Sequence, residues 1–197
     1  MYGMEPSAAG VHAARVFSEA RCTTVLDLGA GHGRDSAFFA QLGFTTYALD
    51  SSAVGLVQLS EHARHAGLTD LLATIEHDSC EPLPLQSESV DGVLAHMLLC
   101  MALSTEQIHR LVSEVQLVLR TGGVFVYTVR HTGDAHYGTG TAHGDDIYEQ
   151  GGFAVHFFDQ ALVDSLAEGW HLAALHAFEE GDLPRRLWRV TQRRMDL

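Results

Sequence analysis

The segment VLDLGAGHGR at residues 25–34 joins a short apolar run to a glycine-rich turn. The apolar run predicts a buried strand over residues 24–28. Gly29 and Gly31 let the backbone pass close beneath a ligand, because no side chain stands in the way. Ligands of open α/β sheets bind at the carboxyl ends of the strands, which is where this turn falls. The segment therefore predicts the first strand and the ligand loop of an α/β fold.

Asp50 adds a second group to this predicted site. It follows the next predicted strand, residues 44–49, and stands about 20 positions beyond Gly29, where nucleotide-binding folds carry an acid. A carboxylate there can accept hydrogen bonds from both hydroxyls of a ribose. A tight strand-to-helix turn without a ligand is the alternative interpretation. The combination of glycine loop and acid favours a ligand that contains a nucleoside.

Strands and helices alternate through most of the chain. Further strands are predicted at residues 72–76, 90–95 and 124–129, and helices at residues 35–42, 51–66, 104–119 and 159–168. The helix that starts at Ser104 is the clearest, because Gln107 completes a capping box. This alternation predicts a mostly parallel sheet with helices on both faces.

The end of the chain departs from this alternation. Residues 172–178 and 187–191 predict two strands that are joined only by a short acidic turn. So short a connection requires antiparallel pairing. We predict one α/β domain over residues 1–197, because 197 residues, 46% of them hydrophobic, suffice for one core but not for two ordinary domains.

The charge balance argues against nucleic acid as a partner. The chain has 12 Lys and Arg against 25 Asp and Glu, a formal charge of −13, which repels phosphate backbones. One dense basic cluster alternates as the outer face of a strand would: Arg185, Arg186, Arg189, Arg193 and Arg194.

No membrane partner or secretory signal is expected either. No apolar run approaches the roughly 20 residues of a membrane span, and the N-terminus lacks a basic stretch followed by an apolar one. The three cysteines, Cys22, Cys80 and Cys100, form no CxxC pair, which fits a reducing cytoplasm.

Position 34 separates two families that share such a loop. The dinucleotide fingerprint requires a third glycine where this chain has Arg34, because a helix packs there. Residues 25–33 instead resemble the first motif of class I methyltransferases that depend on S-adenosylmethionine (SAM). The continuation into Asp35 and Ser36 is similar to the tellurite-resistance (TehB-like) branch, whose members methylate small molecules. The resemblance covers residues 25–191 and implies a Rossmann-like seven-stranded sheet, mostly parallel, with a C-terminal antiparallel hairpin strand.

The same resemblance implies which positions surround SAM. They are Asp27, Gly29, Ala30 and Gly31 at the methionine part, Asp50 and Ser51 at the ribose, Asp78, Ser79 and Cys80 at the adenine, and His96 and Met97 facing the sulfonium and the acceptor. Asp78 is alternatively a solvated loop acid, and Met97 alternatively a core residue. Residues 2–6 (YGMEP) are similar to N-terminal segments that close over the ligand, so residues 1–22 are expected to form a lid segment.

Residues 131–156 form a long polar, glycine-rich stretch after the fifth strand. Loops of this length are usually lids or binding loops, and this one follows the ligand-binding edge of the sheet. We expect an acceptor-side loop in which His131 and Tyr137, together with His96, supply the catalytic groups.

A metal site and a merely solvated loop are the alternatives for this stretch. Imidazole groups suit zinc, iron or nickel, and the candidate ligands are His131, His136, His143 and His156. Their spacing matches no structural zinc pattern, so we predict that the loop holds no metal.

Together these observations predict a methyltransferase. It would move a methyl group from SAM to a sulfur, selenium, tellurium, nitrogen or oxygen atom of a small-molecule acceptor and release S-adenosylhomocysteine. We expect a monomer or homodimer. A non-catalytic protein that senses SAM or a metal on the same fold is the alternative, and a nicotinamide dehydrogenase is a third possibility. The polar side chains of the loop at residues 131–156 favour the enzyme, because a sensor needs no acceptor pocket.

Overall fold

The computed structural model describes residues 5–181 and 185–196. Five helices occur in these ranges: α1 (Ala8–Glu19), α2 (Arg34–Gln41), α3 (Ala53–Ala66), α4 (Thr105–Val118) and α5 (Gln160–Leu166). Ten strands occur in the same ranges: β1 (Thr24–Leu28), β2 (Thr45–Asp50), β3 (Leu72–Glu76), β4 (Val90–His96), β5 (Leu119–Arg130), β6 (Thr141–Gly144), β7 (Ile147–Gln150), β8 (Phe153–His156), β9 (Trp170–Glu180) and β10 (Arg185–Arg194).

Seven of the strands form one sheet in the order β3-β2-β1-β4-β5-β10-β9. The first five are parallel, whereas β10 is antiparallel to both β5 and β9. This architecture confirms the predicted Rossmann-like sheet with its C-terminal antiparallel hairpin. The strand order reverses between β1 and β4, and such a reversal opens a crevice at the carboxyl edge of the sheet.

Helix α3 packs closely against the loop after β1 and holds this loop in place. A Cβ built on Gly33 would stand 2.4 Å from Leu59, and a Cβ on Gly55 would stand 2.5 Å from the carbonyl oxygen of Gly31. A side chain at either glycine would therefore push the loop and the helix apart. The two glycines bring the ligand edge of β1 directly against α3.

The first helix was not predicted from the sequence. Residues 8–19 form α1, whose N-cap is Ser7, and its inner face buries Ala13 and Phe17 completely against the sheet. Residues 8–19 of the segment expected to form a lid are therefore a helix that packs on the core through Phe17. Tyr2, Gly3 and Met4 of the expected lid motif lie outside the described residues.

The stretch expected as a loop contains a small antiparallel sheet, in the order β6-β7-β8. Two tight turns shape it. Asp145 and Asp146 both have positive φ between β6 and β7, and so do Gly151 and Gly152 between β7 and β8. Pairs of this kind favour two-residue hairpins, because both central residues need a left-handed backbone. The sheet rests on the segment after β4, where Met101 pairs with Val155.

Across the described ranges, no helix is both long and apolar enough to span a membrane.

Replacing Phe17 with alanine tests whether α1 belongs to the core. Phe17 packs on Phe39 and Phe44 with ring centroids 5.7 and 6.3 Å away, so Phe17→Ala should lower the free energy of unfolding by about 3–5 kcal/mol. Val11→Ala, at a position of the same helix that is 49% exposed, should cost less than about 0.5 kcal/mol. Urea unfolding followed by circular dichroism measures both. Equal small losses would show that α1 is not part of the core.

Candidate functional site

The loop after β1 takes a backbone path that favours glycine at three positions. Gly29, Gly31 and Gly33 have φ of 80°, 58° and 76°, a left-handed region that other residues rarely adopt. The Cβ position of Gly31 has no atom of the described chain within 4 Å, so this side of the loop is open. The loop therefore offers bare backbone at the carboxyl edge of the sheet.

Asp50 joins this loop to the end of β2. Its Oδ2 accepts a hydrogen bond of 2.7 Å from the Gly31 amide, and its Oδ1 accepts one of 2.8 Å from the Ser52 amide. Each carboxylate oxygen retains a second lone pair for a ligand hydroxyl. The two amides thus hold the carboxylate in one orientation, and its oxygens can accept further hydrogen bonds.

A small cleft opens between this carboxylate and the segment after β4. It is lined by Leu28, Gly29, Leu49, Asp50, Ser51, His77, Ser79 and Leu98. Four of the positions predicted from the sequence, Gly29, Asp50, Ser51 and Ser79, meet here. Leu98 and His77 were not predicted, and Leu98 packs directly over Gly29, with its Cβ 3.1 Å from a Cβ built there.

Two predicted neighbours of the adenine lie at the rim. Asp78 is exposed and accepts a hydrogen bond of 2.9 Å from the Cys80 amide. The Cys80 sulfur receives a 3.5 Å hydrogen bond from Gln107, and Cys80 lines a separate cavity beside α4. The structure thus brings Ser79, but not the Cys80 side chain, to the cleft beside Asp50.

Asp27 lies beneath the loop and is almost completely buried. Burial raises the pKa of its carboxyl to about 7, and the nearby negative charge of Asp35 adds to this effect. A hydrogen bond of 2.5 Å from the Ser36 hydroxyl opposes the increase. Asp27 therefore gains and loses its proton near neutral pH. Its pKa is far above the ordinary pKa of an aspartate side chain.

Asp35, the second residue of α2, ties the start of α1 to the same region. Its carboxylate accepts hydrogen bonds of 2.7 Å from both the backbone amide and the hydroxyl of Ser7. A Cβ on Gly10 would collide with Asp35 at 2.3 Å. The small residues at the start of α1 therefore allow this carboxylate to remain beside the loop.

The neighbours of His96, the last residue of β4, favour one tautomer of its imidazole. Arg34 Nη2 lies 3.4 Å from its Nε2. Because a guanidinium only donates, a hydrogen bond there places the lone pair of His96 on Nε2 and its proton on Nδ1. Nδ1 lies 2.7 Å from Thr128 Oγ1, which also accepts a 3.0 Å bond from the Met97 amide.

The same histidine faces the C-terminal hairpin. His96 Nε2 lies 3.9 Å from the Glu180 carboxylate, which in turn lies 3.7 Å from Arg185 Nη2. Burial lowers the pKa of His96, and Arg34 and Arg185 lower it further, whereas Glu180 and Asp35 act in the opposite direction. The imidazole is therefore neutral at physiological pH and presents a lone pair to this edge.

Arg34, Thr128, Glu180 and Arg185 were not predicted as site residues. Arg34 was noted only where a dinucleotide fold would have glycine, and Arg185 only as part of the outer face of a strand. The register of β9 and β10 pairs Glu180 with Arg185 at the carboxyl edge of β5. This pairing depends on contacts distant in the sequence, and no local motif signals it.

The residues predicted for the acceptor side are held in place by their neighbours. His131 stacks on Trp188 with ring centroids 4.5 Å apart, and its Nδ1 accepts a 3.0 Å hydrogen bond from the Gly133 amide. Tyr137 donates a 2.8 Å hydrogen bond to Asp146. These contacts differ from those of His96, which lies beside Arg34, Thr128 and Glu180.

A buried ion pair forms the base of the small sheet. Arg130 forms two hydrogen bonds, of 2.5 and 3.2 Å, with the Asp134 carboxylate, which also accepts the amides of His136 and Arg186. Burial acts to raise the pKa of Asp134, but these hydrogen bonds outweigh it and lower the pKa to about 2. The pair connects the end of β5 to the start of β10.

The four candidate metal ligands also separate in space. His136 contacts Arg130 and Asp134, His143 pairs with Glu149 on the surface, and the buried His156 lies 2.7 Å from the Leu103 carbonyl. Within the part of the chain that the structure describes, no three His, Cys, Asp or Glu side chains converge as a metal site would require.

Comparison with known proteins gives one family and many similar folds. A family described as "Methyltransferase domain" matches residues 25–123, about half of the chain. No curated protein matches the sequence.

Three solved structures illustrate the similarity in fold. The methyltransferase CcbJ from Streptomyces caelestis has a TM-score of 0.77 and 21% identity, over 100% of this chain and 94% of its own. A 1,6-didemethyltoxoflavin-N1-methyltransferase from Burkholderia thailandensis, with bound S-adenosylhomocysteine, has a TM-score of 0.75 and 18% identity over 96% and 79%. TehB from Haemophilus influenzae has a TM-score of 0.72 and 18% identity over 95% and 62%.

Asp27 gives the protein a characteristic dependence of stability on pH. The folded state keeps the Asp27 proton up to about pH 7, whereas the unfolded chain releases it near pH 4. The folded state therefore binds more protons at Asp27 in this window, and the contribution of this residue to stability decreases as pH rises from about 4 to about 7.

Asp27→Asn removes this proton exchange while leaving an acceptor for Ser36. The melting temperature of the variant relative to the parent should rise steadily between pH 4.5 and 7.5, as calorimetry can measure. Asp70→Asn, which removes an exposed carboxyl, is the matched control and should show no such trend. A difference for Asp27→Asn that does not change with pH would contradict the assignment.

Proposed function

Since this chain belongs to the methyltransferase domain family, we propose that it transfers a methyl group from SAM to a heteroatom of a small-molecule acceptor. The observation that carries the proposal is the neutral His96, which presents a lone pair at the edge of the sheet beside the glycine loop. A base in this position can take up the proton that a nitrogen, oxygen or sulfur nucleophile loses on methylation.

The residues around the glycine loop fit SAM. The open side of Gly31 leaves room for a ligand to lie on the backbone, and Asp50 keeps accepting capacity for the ribose hydroxyls. Asp27, Gly29 and Ala30 would lie along the methionine part. Asp27 can ionise in response to the cationic groups of SAM, because its pKa is already close to neutral.

The remaining part of the ligand would extend toward β3 and β4. Ser51 and Ser79 line the cleft next to Asp50 and would contact the ribose and the adenine, with Asp78 and Cys80 at the rim. Met97 has a left-handed backbone, with φ of 61°, which turns the chain at the end of β4 and places Leu98 over Gly29.

SAM, when bound, supplies a methyl group on a positively charged sulfur, already activated for transfer. The protein orients the nucleophile in line with the methyl–sulfur bond and excludes water. In the transfer the acceptor's lone pair would bond to the methyl carbon, and S-adenosylhomocysteine would be released. The acceptor's proton would pass to Nε2 of His96 in place of the hydrogen bond from Arg34, and Glu180, 3.9 Å away, would stabilise the resulting imidazolium.

His131 and Tyr137 remain proposed acceptor-side residues. Their stacking and hydrogen bonds with Trp188 and Asp146 suit them to shape the wall of the pocket. His96 is the better placed base, because its partner Arg34 directly follows the glycine loop, whereas His131 stacks on Trp188 of β10.

The charge and the cysteine content support a small-molecule acceptor and a cytoplasmic location. A formal charge of −13 disfavours nucleic acid as an acceptor, and free thiols at Cys22, Cys80 and Cys100 suit the cytoplasm. We propose a monomer or homodimer that acts there on small molecules.

Calorimetric titration tests the proposal directly. The protein should bind SAM and S-adenosylhomocysteine and should methylate at least one acceptor in a panel of thiols, amines, phenols and oxyanions of selenium and tellurium. Binding of SAM without any turnover would favour the non-catalytic alternative, and absence of SAM binding would refute the proposal.

A valine at position 31 should prevent SAM binding. In Gly31→Val the side chain enters the open space above the loop that the ligand needs, and the melting temperature should no longer rise when SAM is added. Gly122→Val is the matched control, because Gly122 also has positive φ, 76°, with no described atom near its Cβ position, but lies outside the site. It should carry the same backbone strain and keep the response to SAM.

Loss of the His96 imidazole should reduce turnover without loss of SAM. His96→Asn should keep SAM affinity within about twofold and lower kcat by about 10²–10⁴-fold, the typical effect of removing a general base. The parent's kcat at saturating SAM should increase with pH, with a midpoint below the ordinary histidine pKa of about 6.5, because protonated His96 cannot accept a proton. His143→Asn, which alters a surface histidine, should match the parent. An equal fall in SAM affinity and kcat for His96→Asn would place His96 at the cofactor instead.

A further inference from the structure

We propose that the cavity between the small sheet and helix α5 binds a ligand that carries a primary ammonium group on a short alkyl chain. This inference goes beyond the proposed methyl transfer and does not depend on it. The cavity has a volume of about 340 Å³ and shares no lining residue with the cleft beside Asp50. Its size falls within the range of small-molecule pockets in proteins.

A buried histidine lines this cavity and has an unused acceptor. His156 is only 2% exposed, and its Nδ1 lies 2.7 Å from the Leu103 carbonyl oxygen. Because a carbonyl only accepts, the proton of the neutral imidazole lies on Nδ1 and the lone pair on Nε2. Nε2 has no hydrogen-bond partner among the described residues, yet the protein does not enclose it, so its lone pair opens onto the cavity. Since buried polar groups are usually paired, this nitrogen points to a donor that comes from the cavity.

Three carboxylates line the same cavity, those of Asp145, Asp146 and Asp159. Each accepts one hydrogen bond from the protein through a single oxygen, at 3.2, 2.8 and 2.8 Å. The other oxygen of each has no partner among the described residues, and none of the ion pairs in this part of the chain involves the three. The cavity therefore combines three negative charges with acceptor oxygens that remain available.

The electrostatic potential at this place is negative and favours a cation. The hydrogen bond to Asp146 raises the pKa of the Tyr137 hydroxyl, and the negative charges of Asp146 and Asp159 contribute to the increase. An anionic ligand would meet the same repulsion. The formal charge of −13 on the whole chain also attracts cations to its surface.

The acceptors suit an ammonium group better than a metal ion. Across the described residues, no three His, Cys, Asp or Glu side chains are close enough together to hold one metal. An ammonium bonds its acceptors at about 2.7–2.9 Å, a longer distance than metal–oxygen bonds, and can therefore link groups that are further apart. Its three N–H groups can donate to Nε2 of His156 and to a carboxylate at the same time.

The remaining wall of the cavity is apolar. Ala161 and Leu162 of α5 and the buried Phe157 contribute to it. Such a surface can cover the methylene groups of an alkyl chain, whose burial is favourable. The ligand class is therefore an aliphatic primary amine in its protonated form.

Three probes of similar length test the proposal at neutral pH. They are 1-aminobutane, 1-butanol, which lacks the charge, and butyltrimethylammonium, which has the charge but no N–H donor. Titration monitored by NMR spectra of the protein measures the affinities. The amine should bind at least about tenfold more tightly than either other probe, as expected when a charged hydrogen bond is lost.

Two substitutions in the cavity should weaken binding of 1-aminobutane by about tenfold or more. In His156→Asn the amide nitrogen can keep the bond to the Leu103 carbonyl, while the Nε2 acceptor is lost. Asp145→Asn removes a charge at an exposed turn, and asparagine tolerates the positive φ of 49° at this position. Asp145→Asn therefore tests the site even if His156→Asn does not fold.

Glu149→Gln is the matched control. It removes a carboxylate charge from the same small sheet, where Glu149 pairs with His143 and does not line the cavity, and it should leave binding of 1-aminobutane unchanged. Asp50→Asn should do the same, because Asp50 lies in the other cleft.

Several outcomes would overturn the inference. Equal affinity for 1-aminobutane and 1-butanol would show that the cavity does not recognise the ammonium group. Equal losses in Asp145→Asn and Glu149→Gln would indicate attraction by the general surface charge, and a loss in Asp50→Asn would place the amine in the cofactor cleft. Displacement of the amine by calcium or zinc ions at equal concentration would identify the cavity as a metal site.

Discussion

The contact between α3 and the loop after β1 leaves no room for a side chain at two points. Leu59 fills the space beside Gly33, and the Gly31 carbonyl rests on Gly55. This close packing fixes the loop at the carboxyl edge of β1, so that the Gly31 amide meets Asp50 on one side. On the other side it starts α2 at Arg34, which points to His96. Both halves of the proposed site therefore depend on the same two glycines.

Several carboxylates crowd around this loop, and the fold must stabilise them. Asp35 is held by Ser7, Asp50 by the amides of Gly31 and Ser52, and Asp27 by Ser36. Asp27 is the most buried of the three and has the strongly raised pKa. A positively charged ligand at this loop would lower the pKa of Asp27, so its binding would be coupled to the protonation of Asp27.

The sequence was most informative where the structural signal is local. The apolar run before Gly29, the acid at Asp50 and the capping box of Ser104 and Gln107 each lie within a few residues, and the structure contains the corresponding strand, loop and helix. The parallel sheet followed from the alternation of such elements. Helix α1 was missed because its buried face consists largely of small residues, with Phe17 as its one fully buried aromatic.

The remaining features depend on contacts between distant parts of the chain or on weak local signals. The strands of the small sheet have four residues each and largely lack burial or alternation, although Gly151 and Gly152 do signal a hairpin turn. The cluster around His96 combines residues from α2, β4, β5 and the hairpin of β9 and β10. The register that places Glu180 opposite Arg185 arises only when the sheet is assembled. A sequence pattern therefore predicts the glycine loop and Asp50 but not the cluster around His96.

The two halves of the crevice differ in charge, and this difference suggests how the reaction partners are oriented. The edge of β1 and β2 presents carboxylates at Asp27 and Asp50, and the edge near β10 presents the ion pair of Arg185 and Glu180, with Arg34 between the two. In the proposed reaction the cationic donor is favoured on the first side. His96 stands at the boundary with its lone pair toward the arginines, and burial keeps it neutral. A neutral base at this boundary adds no charge to either side before the reaction. In the proposed reaction Glu180, 3.9 Å from Nε2, would balance the positive charge that His96 gains with the acceptor proton.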